Sequence, residues 1–213
     1  MDELDKLKNH WQKNEAAFPQ VSEKEIYGML HKKSSSIVKW ILIISILEFA
    51  FQLSLSFLLK DTPGSKQIEA IDIDYIMIPL TLLSYAIMIY FFRLFYINYK
   101  KITATDSVRN LMSSILNTRK TVSNYIYVNL SYILVSFIII LVTYINKDEH
   151  FAAMFHKSEV HGNAVKLYLL SALLILITLV IIIGTVWLFY KLLYGLLLKK
   201  LHRNYEELKK IDF

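Results

Sequence analysis

Four long apolar runs dominate the hydropathy pattern of this chain, at about residues 36–59, 75–99, 124–145 and 167–198. Each run exceeds the roughly 20 apolar residues that an α-helix needs to cross the hydrocarbon core of a bilayer. Backbone N–H and C=O groups find no water in that core, so each run that crosses it has to be a helix. The pattern predicts an all-α, polytopic membrane protein, built as a four-helix transmembrane bundle over residues 36–198 with short cytoplasmic amphipathic helices.

Residues 1–35 form a polar arm in which the apolar positions follow the period of two short helices. Pro19 separates the two. The second helix begins with a capping box, because Ser22 is followed three residues later by Glu25. We expect this helix either to continue into the first span or to bend at the serines 34–36.

A further amphipathic helix is predicted at about 106–120, in the connection between the second and third spans. Such a helix lies on the inner leaflet or packs against the end of the bundle, and this is the favoured interpretation. The alternative is that it docks the N-terminal arm and forms a small cytoplasmic platform. Residues 199–213 follow the fourth span as a cytoplasmic tail.

Charge placement predicts the orientation of the spans. Lysines and arginines concentrate in the arm, in the connection between spans two and three, and in the tail, whereas the other two connections are balanced by acids. Both termini are therefore expected in the cytoplasm. The net charge of +6, the 55% hydrophobic composition and the mean hydropathy of +0.40 agree with a membrane protein. Nucleic-acid binding is not predicted, because no basic stripe lies on a soluble fold.

Polar residues inside the spans form a seam, and one of them is an acid. Glu48 lies in the first span, and counting from the inner interface places it roughly 16 Å deep, near the bilayer centre. A carboxylate at that depth is costly, so we expect it to face the bundle interior, either as a packing hydrogen bond or as a proton site. The residues predicted for this intramembrane seam are Ser45, Glu48, Gln52, Tyr85, Ser136 and Thr178.

Catalysis and cofactors are not predicted. The sequence has no cysteine, no glycine-rich phosphate loop and no His-Glu-x-x-His motif. The second outer connection holds His150, His156 and His161, which are weak candidates for a metal site. No pair of them has the i, i+4 spacing that places two imidazoles on one helix face, and an ordinary hydrophilic loop is favoured.

The stretch from Ser22 to Ile41, SEKEIYGMLHKKSSSIVKWI, resembles the entry to a family of small, uncharacterised four-pass inner-membrane proteins of flavobacteria and relatives. The resemblance implies a multi-pass protein of the bacterial inner membrane and assigns no chemistry to it.

Two functions are consistent with these features. The first is a non-enzymatic regulatory or scaffolding protein whose arm binds a cytosolic partner, and the arm resembles in outline those of membrane-bound anti-sigma factors. The alternative is a small transporter or channel that uses the Glu48 seam. Besides the lipid bilayer, a cytosolic regulatory protein and a second copy of the chain are the partners considered. The residues predicted to bind the partner are Leu4, Leu7, Trp11, Ile26, Met29 and Leu30.

Overall fold

The computed structural model describes residues 22–105, 107–147, 153 and 164–210. Its helices are α1 (Glu23–Leu59), α2 (Pro63–Ala70), α3 (Asp74–Thr103), α4 (Val108–Lys147) and α5 (Ala164–Lys209). The four long helices are each long and apolar enough to cross a membrane. There is no strand in the part of the chain that the structure describes. The predicted all-α architecture with four apolar spans is confirmed.

The long helices are more continuous than the sequence pattern suggested. The second arm helix and the first span form the single helix α1, and the amphipathic segment near 106–120 continues without a break into the third span as α4. The fourth span likewise continues through most of the predicted tail, to Lys209. The junctions near residues 34–36 and 120–124 contain neither proline nor glycine, so nothing interrupts the backbone hydrogen bonds there.

The four long helices pack as a ring. Each of α1 and α4 contacts both α3 and α5, while α1 and α4 face each other across the middle with few contacts. Consecutive long helices are therefore antiparallel neighbours, as in an up-down-up-down bundle. The N-terminal part of α1, the C-terminal part of α3, the N-terminal part of α4 and the C-terminal part of α5 meet at one end.

We call this meeting point the basic end, comprising residues 22–45, 91–125 and 190–210. Buried positions there recur at alternating steps of three and four residues, which is the spacing of coiled-coil packing. On α4 they are Leu111, Ile115, Thr118, Val122 and Tyr125. They join two buried clusters, one built around Leu30, Ile102, Leu111 and Leu201, and one built around Ile41, Phe95, Tyr125 and Tyr194.

The start of α1 is docked onto the end of α3. The Tyr27 hydroxyl donates to the carbonyl of Thr105 (3.0 Å), and His31 Nε2 donates to the carbonyl of Ile102 (2.8 Å). The last carbonyls of a helix have no partner within it, so these two side chains stabilise the end of α3. The segment from residue 22 onward is consequently part of the bundle rather than a free arm.

This docking changes the interpretation of the predicted partner-binding residues. Leu30 is buried at 3% exposure, and Ile26 packs against the same cluster. Both stabilise the fold and present little surface to a partner. Met29 points outward at 52% exposure. Leu4, Leu7 and Trp11 lie outside the described residues.

The opposite half of the bundle comprises residues 46–90, 126–147 and 164–189, and we call it the lipid-facing half. Its large apolar side chains are mostly exposed, as at Phe57, Leu174 and Val180. Pro63 begins α2, which Thr62 caps by accepting a hydrogen bond from the Ser65 N–H. In this half little apolar surface is covered by the chain itself.

Candidate functional site

Glu48 contacts two tyrosines across the interface between α1 and α5. The Tyr190 hydroxyl donates to Oε1 at 2.5 Å, and the Tyr194 hydroxyl donates to Oε2 at 3.2 Å. Each carboxylate oxygen therefore has its own phenol donor. Both hydrogen bonds cross from α5 to α1, and each such bond contributes about 1 kcal/mol to stability, so this arrangement holds the two helices together.

Aromatic rings surround this pair of hydrogen bonds. The ring of Tyr125 on α4 lies edge-on to those of Tyr190 (5.8 Å between centroids) and Tyr194 (5.9 Å), and also to Phe91 and Phe95 of α3. Edge-to-face contacts of this kind add to the energy of burial. All four long helices thus contribute to one cluster, which we call the Glu48 cluster: Glu48, Phe91, Phe95, Tyr125, Tyr190 and Tyr194.

The Tyr125 hydroxyl is the unusual group of the cluster. It is buried, and it has no hydrogen-bond partner within the described part of the chain. It interacts electrostatically with Glu48. A buried hydroxyl without a partner is costly, so this phenol is held in place by the packing of its ring.

Tyr190 and Tyr194 were not predicted as partners of Glu48, although the sequence contains a signal for both. On α1 the buried positions Ser34, Val38, Ile41 and Ser45 continue in the same period to Glu48. On α5, Tyr194 is followed at steps of seven residues by Leu201 and Leu208, both fully buried. Buried Asn204 divides the last of these intervals into steps of three and four. Extending the same alternation of short steps back from Tyr194 by four residues reaches Tyr190, so the spacing places both tyrosines on the side that faces the bundle.

The small hydroxylated residues of the predicted seam do not contact Glu48 and have other partners. Thr178 is exposed and donates to the carbonyl of Leu174 on its own helix. Ser136 donates to Ile133, and Ser45, although buried, donates to Leu42. These local bonds are the usual solution for a hydroxyl in a membrane helix, and they leave no group for a distant acid.

Two seam residues, one on α1 and one on α3, join these two helices to each other rather than to α5. The Gln52 amide donates to the Ser84 hydroxyl at 2.9 Å, and the Tyr85 ring lies edge-on to Phe49 of α1. The polar stripe of α1 is therefore divided, with Glu48 facing α5 and Gln52 facing α3. The structure does not gather the predicted seam into one polar path.

The depth of Glu48 also differs from the expectation. Its partners Tyr194 and Tyr190 are four and eight residues from the end of the fourth apolar run at residue 198, which corresponds to about 6 and 12 Å. Tyr125 is at the start of the third run. Counting on the partner helices therefore gives a depth nearer the basic end than counting along α1 does.

An apolar pocket of about 290 Å³ lies beside the cluster, between α1 and α3. Phe49, Met88, Phe92 and Tyr125 are among its lining residues. Within the described ranges no group of three or more His, Asp or Glu side chains is placed to hold a metal ion. His150, His156 and His161 lie outside those ranges. The functional groups of this site are therefore one carboxylate and three phenols, beside an apolar wall.

These features define a helical protein with four helices long and apolar enough to cross a membrane, joined at one end by a carboxylate–tyrosine cluster. The chain belongs to the family described as Domain of unknown function (DUF8845), whose model matches residues 24–213. This match agrees with the predicted resemblance to a family without assigned chemistry. No curated protein and no solved structure matches the chain.

Proposed function

We propose that this protein is a non-enzymatic scaffold or regulator of the bacterial inner membrane, which binds a cytosolic protein at its basic end. The observation that carries the proposal is the packed extension of the helices beyond their apolar runs. At that end α4 begins at Val108, about 24 Å before its apolar run, and α5 continues about 16 Å beyond residue 198. By the positive-inside rule, the basic end and both termini are cytoplasmic.

A rigid platform suits this role better than a free arm would. The hydrogen bonds of Tyr27 and His31 fix the start of α1, and Asn204 donates to the Ser34 hydroxyl at 3.1 Å inside the platform. A surface that is ordered before binding loses less conformational entropy when a partner docks. The partner surface we propose consists of Met29 and the preceding segment with Leu4, Leu7 and Trp11.

Transport through the Glu48 seam is the alternative. A transport path needs polar groups or water along the bundle interior, whereas the tyrosines that bond Glu48 pack against Tyr125, and Tyr125 packs against Phe91 and Phe95. Its carboxylate is also already bonded to two phenols of α5. These contacts favour a structural role for the acid, and with it the scaffold.

Site-specific photocrosslinking in the native host tests the proposal. A photoreactive residue at Met29 is expected to trap one defined cytosolic protein, while the same residue at Ile68, at the far end, traps none. Deletion of residues 1–21 should weaken the Met29 crosslink, because the proposed surface includes that segment. Reporter fusions at both termini should give cytoplasmic signals. A crosslink from Ile68 equal to that from Met29, or an external signal at either terminus, would overturn the proposal.

A further inference from the structure

A second groove lies on the outside of the bundle, between α4 and α5. It has a volume of about 210 Å³, and unlike the pocket between α1 and α3 its wall combines apolar and polar groups. Its lining residues include Ser123, Tyr127 and Leu130 from α4, and Trp187, Lys191 and Gly195 from α5.

The groove carries a positive charge. Lys191 Nζ lies 4.6 Å from the centroid of the Trp187 ring, which is a cation–π contact. No aspartate or glutamate is among the groove-lining residues that the structure describes. Two acids lie close to this region: Glu48 accepts a hydrogen bond from the groove-lining Tyr190, and Glu206 lies 3.9 Å from His202 Nε2. His202 Nδ1 in turn accepts from Arg119 at 3.0 Å. An anion entering the groove meets Lys191 first.

The groove lies at the boundary between apolar and polar sequence. Ser123 directly precedes the third apolar run, and Leu198 ends the fourth, yet both line this one groove. A lysine slightly inside such a boundary extends its amine toward the lipid headgroups. Tryptophan and tyrosine are also enriched at this level. The groove therefore combines a cation with two interfacial aromatic side chains, which is expected where a lipid headgroup meets its acyl chain. These residues are Lys191, Trp187 and Tyr127.

The shape of the groove fits a chain below a headgroup. Gly195 has no side chain, and a Cβ added there would meet only Lys191 Cγ at 3.8 Å, so the space above it is open. Ile126 and Leu130 provide an apolar floor that continues into the lipid-facing half. A phosphate at Lys191 would place an acyl chain along this floor.

We propose that this groove is a binding site for an anionic phospholipid, with the headgroup phosphate at Lys191 and one acyl chain along Ile126 and Leu130. Charge complementarity selects an anionic over a zwitterionic lipid, and one basic residue near a membrane surface corresponds to about a fivefold preference. The larger pocket between α1 and α3 has no cation in its lining and would not discriminate between headgroups.

Trp187 is a natural reporter of the site. The full chain with Trp11→Phe and Trp40→Phe leaves Trp187 as the one tryptophan. In nanodiscs, brominated phosphatidylglycerol is expected to quench its fluorescence with about fivefold higher apparent affinity than brominated phosphatidylcholine. Lys191→Gln should bring the two lipids to equal affinity. Gly195→Leu, which the open space tolerates, should weaken quenching by both lipids because it fills the groove.

Lys39→Gln is the matched control, since Lys39 is also exposed and also within an apolar run, but on α1. It should keep the preference for phosphatidylglycerol. Inorganic phosphate should not reverse the quenching, because the acyl chain contributes to binding. Equal quenching by the two lipids in the parent, an equal loss in Lys39→Gln, or reversal by phosphate would each overturn the proposal.

Discussion

The two halves of this bundle use the same four helices in opposite ways. At the basic end, Val38, Leu111 and Leu201 are fully buried against one another. In the lipid-facing half, Phe57 is 80% exposed and Leu58 is 75% exposed. Water drives apolar side chains together where the helices leave the membrane, whereas hydrocarbon exerts no such force within it. The protein is therefore held together mainly by its basic end, where the buried clusters lie.

The largest effect should come from a core leucine of the basic end. Leu201→Ala removes a fully buried side chain and is expected to lower the free energy of unfolding by about 3 kcal/mol. Leu174→Ala, on the same helix but in the lipid-facing half at 56% exposure, should change it by less than about 0.5 kcal/mol. Denaturant unfolding in mild detergent measures both. Equal effects would mean that the two halves do not differ as described.

The Glu48 cluster lies where the two halves meet. Glu48→Leu leaves the Tyr190 and Tyr194 hydroxyls without an acceptor and should lower the free energy of unfolding by about 2 kcal/mol. Adding Tyr190→Phe and Tyr194→Phe to the same variant removes the unpaired donors and should restore most of the loss. The same unfolding measurement applies. If the triple variant is no more stable than Glu48→Leu, the hydrogen bonds are not what the acid contributes.

One interhelical hydrogen bond in each half allows a direct comparison. Asn204 bonds Ser34 at the basic end, at 3.1 Å, and Gln52 bonds Ser84 in the lipid-facing half, at 2.9 Å. Double-mutant cycles to alanine should give about 1 kcal/mol of coupling for the buried first pair. The cycle for Gln52 and Ser84 should give a coupling of about 0.6 kcal/mol, the average for interhelical hydrogen bonds in membrane bundles. A larger coupling for Gln52 and Ser84 would reverse the ranking.

The smallest effect is expected at the exposed start of α1. The Ser22 backbone N–H and hydroxyl donate to the Glu25 carboxylate, and these bonds hold the pKa of Glu25 below its usual value. Because the pKa of Glu25 is lower in the folded state than in the unfolded state, the stabilisation is fully present at pH values above the unfolded-state pKa. It is lost as the pH falls through the folded-state pKa.

Amide hydrogen exchange at residues 22–26 detects this capping box. After correction for the intrinsic pH dependence of exchange, these amides should be less protected as the pH falls through the folded-state pKa of Glu25. Glu25→Ala should remove both part of the protection and its pH dependence. The neighbouring Glu23→Ala, which removes no capping bond, is the control. Protection that stays pH-dependent in Glu25→Ala would exclude the capping box as its cause.

The extent to which the sequence predicted this structure differs between the spans and the site. The four apolar helices and the capping box at Ser22 follow from local patterns and were predicted. The continuity of α4 was not predicted, because its amphipathic period was interpreted as a separate helix, either on the inner leaflet or against the end of the bundle. Leu111 and Ile115 pack against three other helices, as the second of these interpretations expects. The acid was identified, but its partners were sought among small hydroxylated residues, which instead bond their own backbone.

What the sequence alone determined is the number of apolar helices, because hydropathy and backbone hydrogen bonding act within each segment. Only the tertiary structure decided that Glu48 meets Tyr190 and Tyr194, residues 142 and 146 positions away. Partner choice over that distance depends on how four helices rotate about their axes, and buried contacts at the basic end set that rotation. Within the lipid-facing half, apolar residues surround each helix, and no local pattern specifies which face turns inward.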